Sequence, residues 1–156
     1  MSEPDRKALR IASTVLLLRD GEGGMEIFMV QRNRAIEFAS GALVFPGGSI
    51  DPNDYEIAET LVTDLPNELA AIRVAGVRET FEESGILLAR TRGTDALVSA
   101  EVATKVGPLR AAVAEGEIKF SAILDEHNLA PAIDLMAPFA HWITPVNMPK
   151  RFDTHF

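Results

Sequence analysis

Arg78-Glu79-Thr80-Phe81-Glu82-Glu83-Ser84-Gly85-Ile86 decides how the rest of this 156-residue chain is read. Three carboxylates stand at i, i+3 and i+4, positions that share one face of a helix. Like charges at that spacing repel and weaken the helix, so a helix that stacks them calls for a neutralising partner. A hard divalent cation with oxygen ligands, most often Mg²⁺, suits such a set, and this makes Glu79, Glu82 and Glu83 candidate metal ligands. Arg78 lies one turn before Glu82, where it can pair with that face and orient it. Gly85 stands where a helix C-cap belongs. Taken alone, the stripe reads better as a solvated acidic face. What shifts the balance is Phe45-Pro46-Gly47-Gly48, about thirty residues upstream. Two adjacent glycines permit positive φ and close backbone approach, as a phosphate-binding loop requires.

The two stretches together resemble the Nudix hydrolases. The box of that family reads G, five residues, E, seven residues, then R-E-U-x-E-E-x-G-U, where U is bulky and apolar. Its second half is present as RETFEESGI, with Thr80 in place of the first U. Its first half runs from Gly48 to Asp54, with Asp54 where the family has Glu. Between Asp54 and Arg78 lie 23 residues instead of seven, so the box is split by about sixteen residues within 55–71. A branch that resembles coenzyme A diphosphatases carries an insertion at the same place. The resemblance implies a single Nudix-type α/β/α sandwich over 1–156 with a mixed sheet. It also implies hydrolysis of a phosphoanhydride in a nucleoside diphosphate linked to another group. Glu79, Glu82 and Glu83 would hold one to three Mg²⁺ or Mn²⁺. Arg78 would orient the carboxylates, and Glu82 or Glu83 would help deprotonate the attacking water.

The coenzyme A branch adds an upstream motif whose spacing holds here from Phe28 to Gly48. Arg32, Gly41, Phe45, Pro46, Gly47 and Gly48 match it and are the candidate substrate-binding residues, with Arg32 a charged fork for a phosphate. Asn33 does not match, and Glu37 reverses the charge of the second arginine; Arg34 is a substitute three positions earlier. Glu37 favours ADP-ribose or a dinucleotide as a rival substrate. A nucleotide-binding module of the same fold that does not cleave is a rival of another class.

The net charge of −8 argues against nonspecific binding to nucleic acid or to anionic membrane. It is compatible with a phosphate-bearing small molecule, because a bound cation reverses the local sign. With no cysteine there is no disulfide or thiol chemistry. No apolar run approaches the roughly 18 residues of a membrane span, and MSEPDRKALR lacks the apolar core of a signal peptide. A cytoplasmic location is the default, and a homodimer is left open.

Along the chain, residues 1–8 are polar and loose. Ile11–Leu18 and Glu26–Gln31 read as a hairpin around a glycine-rich turn, and Ala42–Phe45 as a short strand. Residues 55–67 read as a surface insertion with a helical turn at 55–62. Asn67 is placed as the cap of a helix over 68–84, with Leu69, Ile72, Val77, Thr80 and Phe81 on its inner face. Ile86–Ala89 is a short strand. Ser99–Glu115 is helical with a break at Gly107-Pro108, and Phe120–His127 is a second helix. Ile133–Thr144 reads as a strand, and Arg151–Phe156 as the start of another. The family continues beyond that point, so the C-terminus reads as truncated. Asp54 is a weaker ligand candidate, Trp142 is placed in the core or a cleft wall, and Asp125-Glu126 is a solvated pair. His127, His141 and His155 fit no metal spacing and read as structural.

Overall fold

A computed structural model describes residues 9–31, 41–148 and 150–156. Arg32, Asn33, Arg34 and Glu37, and the polar start 1–8, lie outside the described residues. In chain order the strands open with β1 (Arg10–Thr14), the hairpin β2 (Leu18–Gly21) and β3 (Gly24–Ile27), then β4 (Val30–Gln31), β5 (Leu43–Val44) and β6 (Gly47–Ser49). Helices α1 (Pro52–Ala58) and α2 (Asn67–Ser84) follow, then β7 (Ala89–Thr91), α3 (Ala100–Val106), α4 (Arg110–Ala114), α5 (Phe120–Glu126), β8 (Leu129–Pro131), β9 (His141–Ile143) and β10 (Phe152–His155).

The four-stranded sheet has the order β6-β1-β10-β9. It is mixed: β1 runs parallel to β10 and antiparallel to β6, and β9 is antiparallel to β10. α2 lies against β1 and β6. It is an 18-residue helix, rich in Ala, Glu and Arg and without an internal proline, which is a strong helical composition. Gly85 ends it in the left-handed conformation at φ 79°, donating its N–H to the Phe81 carbonyl at 2.8 Å. Ala70, Ala71, Val74, Ala75, Val77 and Phe81 are buried along its inner stripe. Gly76 sets how closely α2 approaches β1: a Cβ there would come within 2.8 Å of the Ser13 Oγ and 2.9 Å of the Met136 Cε. The core continues on the other side of α2 through Val106, Phe120, Leu124 and Leu129, with Phe81 and Phe120 rings 5.9 Å apart. Among the described residues no helix is long and apolar enough to cross a membrane.

Several expectations change. The N-terminal hairpin is shorter, 18–27, because β1 is claimed by β6 and β10 rather than by the chain that follows it. Residues 55–67 are not all surface. Helix α1 begins earlier, at Pro52, and buries Ile57 and Ala58 in the core against α2, leaving 59–64 outside except half-buried Leu61. The N-cap of α2 is Pro66, with no side-chain cap, and Asn67 is its first helical residue. Leu69 is 42% exposed and lines a cleft instead of the core. The strand expected at 86–89 forms at 89–91. The stretch 133–144 contains a 3-10 turn at Ile133–Leu135 and only three strand residues, with Pro138 between them removing a ladder donor. Trp142 is 64% exposed. The helical break at Gly107-Pro108, the second helix from Phe120 and a strand within 151–156 are found as expected.

Candidate active site

Arg78 is the centre of the site. Its guanidinium is buried and spends its donors on five oxygens. Nε and Nη2 donate to the two carboxylate oxygens of Asp54, each at 2.9 Å. Nη2 also reaches the Ser49 carbonyl at 2.9 Å. Nη1 donates to Glu79 Oε1 at 2.9 Å and Glu82 Oε1 at 3.0 Å. Both Asp54 oxygens accept, which is the geometry of an ionised carboxylate facing a planar fork. Burial works against the charge of Arg78, but Asp54, Glu79 and Glu82 outweigh it and its pKa is raised. Burial raises the pKa of Asp54, with the Arg78 contacts opposing that rise.

Asp54 is placed by the local sequence Asp51-Pro52-Asn53-Asp54. Asp51 caps α1, accepting from the backbone N–H of Asn53 and Asp54, while the Asp54 side chain accepts from the Asp51 N–H at 2.9 Å. This is a capping box with proline at the first helical position. Asp54 is fully buried, so it is not a first contact for a solvent-borne cation; it anchors Arg78.

The three glutamates close the site. Glu79 is half-buried between Arg78 and β6: a Cβ on Gly48 would come within 2.4 Å of its carboxylate. Its carboxyl is pushed up to about 7, chiefly by burial, with Glu82 and Glu83 adding repulsion and Arg78 opposing it. Glu83 is more exposed, and its Oε2 accepts the Gly47 N–H at 3.1 Å. Glu82 and Glu83 belong to the last turn of α2, which has no basic residue, so the negative end of the helix dipole adds to their charge. All-oxygen donors with excess negative charge fit a hard divalent cation.

Of the two properties expected of Gly47 and Gly48, positive φ in a loop and close backbone approach, only the second is found. The two glycines are strand residues of β6, and neither has a positive φ. They are glycines because of close approach: a Cβ on Gly47 would meet the Ser13 carbonyl at 2.4 Å and the Thr14 Cα at 2.8 Å. Pro46 is buried, with its carbonyl accepting the Val15 N–H at 2.9 Å, and Phe45 is half-buried. Gly41 has φ 72° and its carbonyl accepts from Gln31 Nε2 at 3.3 Å, beside the β4–β5 pair. Arg78, Glu79, Glu82, Glu83, Gly47 and Gly48 are thus together. A wide cleft of about 1100 Å³ lies elsewhere, lined by α1, residues 60–65, Arg92 and Asp134, and none of the three glutamates borders it.

The profile of the NUDT19 Nudix domain matches residues 55–156. The chain is 27% identical over 130 residues to a protein named putative nudix hydrolase 7 from Caenorhabditis elegans, covering 83% of this chain and 38% of that one. It is 26% identical to the acyl-coenzyme A diphosphatase NUDT19 of Xenopus laevis, covering 84% of this chain and 46% of that one. With the Gallus gallus protein of the same name the identity is 31%, over 71% of this chain and 33% of the relative. A crystal structure of a Nudix hydrolase from Alicyclobacillus acidocaldarius superposes with a TM-score of 0.71 at 30% identity, covering 96% of this chain and 68% of that one. The chain belongs to the Nudix hydrolase family, and its mixed-sheet fold is that of a Nudix hydrolase. It spans less than half the length of these curated relatives.

Proposed function

We propose that this chain carries the metal-dependent hydrolysis of a phosphoanhydride in a nucleoside diphosphate linked to another group, and that coenzyme A or an acyl derivative is the substrate. The observation that carries the first part is the site itself: three carboxylates at one end of α2, Glu79 and Glu82 held by a buried arginine and Glu83 by a backbone N–H of β6. Glu79, Glu82 and Glu83 would hold Mg²⁺ or Mn²⁺, which when bound activates water and neutralises charge growing on the diphosphate. Arg78 fixes Glu79 and Glu82 and remains charged throughout. Glu82 or Glu83 takes the proton of the attacking water; the hydroxide oxygen bonds to one phosphorus as its P–O bond to the bridging oxygen breaks. Cleaved so, coenzyme A gives 3′,5′-ADP and a phosphopantetheine.

The substrate rests on the names of the relatives and on the spacing from Phe28 to Gly48. Glu37 is the specific residue favouring ADP-ribose or a dinucleotide instead. Coenzyme A, an acyl-coenzyme A, ADP-ribose and a dinucleoside diphosphate, each supplied with Mg²⁺ or Mn²⁺ and followed by product chromatography, separate the two. Faster turnover of ADP-ribose than of any coenzyme A compound rejects the substrate assignment. Undiminished turnover by a folded Glu82→Gln/Glu83→Gln variant rejects the site.

A further inference from the structure

Sheet register brings together three side chains that lie apart in sequence. His141 on β9 pairs directly across from His155 on β10, and Asp153 stands two residues before His155 on the same face of that strand. The two imidazoles stack with centroids 4.4 Å apart. Asp153 Oδ1 is in contact with His141 Nε2 and lies 3.6 Å from His155 Nε2. One ligand atom from each of the three lies within 4.8 Å of the others.

We propose that His141, Asp153 and His155 form a second metal site, for a borderline transition ion of the Zn²⁺ type. The donor set decides the class of ion. Two imidazoles and one carboxylate suit Zn²⁺, Co²⁺ or Ni²⁺, whereas Mg²⁺ favours oxygen alone. Bonds of roughly 2.0–2.2 Å in a tetrahedron put donors about 3.3–3.5 Å apart, and rotation of exposed or half-exposed side chains spans the difference. Three protein ligands leave a coordination position open. Both histidines line a cleft of about 380 Å³ whose other walls include Leu69, Ile72, Met136 and Phe139, so that position opens beside an apolar surface.

This site shares no ligand with the glutamate cluster. Ile72 borders the cleft, and Glu82 lies ten residues further along α2, roughly 15 Å at the helical rise. The row Gly48–Ser13–His155 crosses two strand spacings, roughly 10 Å, between the Glu79 contact and the histidines.

The test uses the full chain, with Zn²⁺ titrated by calorimetry and Co²⁺ followed by its visible absorption. Three proteins are compared: wild type, Glu82→Gln/Glu83→Gln, and His141→Ala/His155→Ala. The glutamate variant is expected to keep one Zn²⁺ equivalent and a Co²⁺ spectrum of nitrogen ligation. The histidine variant is expected to lose at least about tenfold in Zn²⁺ affinity while its Mn²⁺ binding stays unchanged. If that variant does not fold, as judged by circular dichroism in chelator, Asp153→Asn is measured in its place against the same criterion. Zn²⁺ affinity that is unchanged in the histidine variant, or absent from the wild type, overturns the proposal and leaves the three side chains a cross-strand ion pair.

Discussion

Thr80 occupies an apolar position of the family box, is fully buried, and leaves its hydroxyl without a hydrogen-bond partner among the described residues. A buried unpaired polar group costs on the order of 1–3 kcal/mol. Thr80→Val keeps the shape and the branching while removing that penalty. The expected result is a gain on the order of 1 kcal/mol in chemical denaturation, with Tm up by about 2–4 °C and turnover unchanged; a loss of stability would contradict the account. Glu79 gives a pH signature of opposite character. Its folded carboxyl lies near 7, above the ordinary 4.5, so the folded state binds more protons than the unfolded one between those values. In chelator, its contribution to stability is therefore full below about pH 4.5 and is lost as pH rises through about 7. Denaturant midpoints in EDTA should fall over that window, and Glu79→Gln should flatten the fall. Adding Mn²⁺ should offset it at the upper end, because the cation takes the charged form. The acidic stripe was readable from sequence because i, i+3 and i+4 are local. The role of Asp54 was also there to be read in Asp51-Pro52-Asn53-Asp54, a capping pattern that places its carboxylate. The pairing of His141 with His155 was not, since strand register between separate segments leaves no fixed spacing.

Strand β6 and helix α2 meet so closely that adjacent glycines have different duties. Gly47 faces the backbone of β1, and Gly48 faces the carboxylate of Glu79. Backbone cannot step aside, so Gly47→Ala should separate β6 from β1 and destabilise the fold by a few kcal/mol, in the range of other overpacking changes. A carboxylate at the end of a flexible chain can swing away. Gly48→Ala should therefore leave stability nearly intact and weaken Mn²⁺ binding and turnover by about tenfold or more, as other disturbances of metal-ligand placement do. Equal stability losses in the two variants would show that the distinction is wrong. The sequence signalled two glycines at a functional place and suggested a loop. Composition reports that a side chain is forbidden; whether backbone angle or a neighbour forbids it depends on what the sheet brings alongside. The same limit explains α1. Its polar residues suggested surface, but Ile57 and Ala58, with Tyr55 beside them and the Asp54–Arg78 pair, dock it on α2.

The mixed sheet was legible as a class, through the family resemblance, while its strand order was not. Short strands of two to five residues carry little periodicity, and β1 resembled half of a local hairpin. Trimming the exposed residues 62–64 is expected to shift Tm by no more than a degree or two, since surface loop length enters closure entropy only weakly. Ile57→Ala should cost about 2–4 kcal/mol by leaving a cavity between α1 and α2. Melting curves of the two variants separate an inserted loop from a docked helix within the same segment. The parallel pairing of Arg10 with Phe152 has a consequence for how the protein is made. A ribosome delivers β1 first, and its neighbour β10 only about 140 residues later, some seven seconds or more at ordinary elongation rates. Throughout that interval one side of β1 offers an unpaired edge in a crowded cell. Until β10 is made, that edge is open to pairing with another chain.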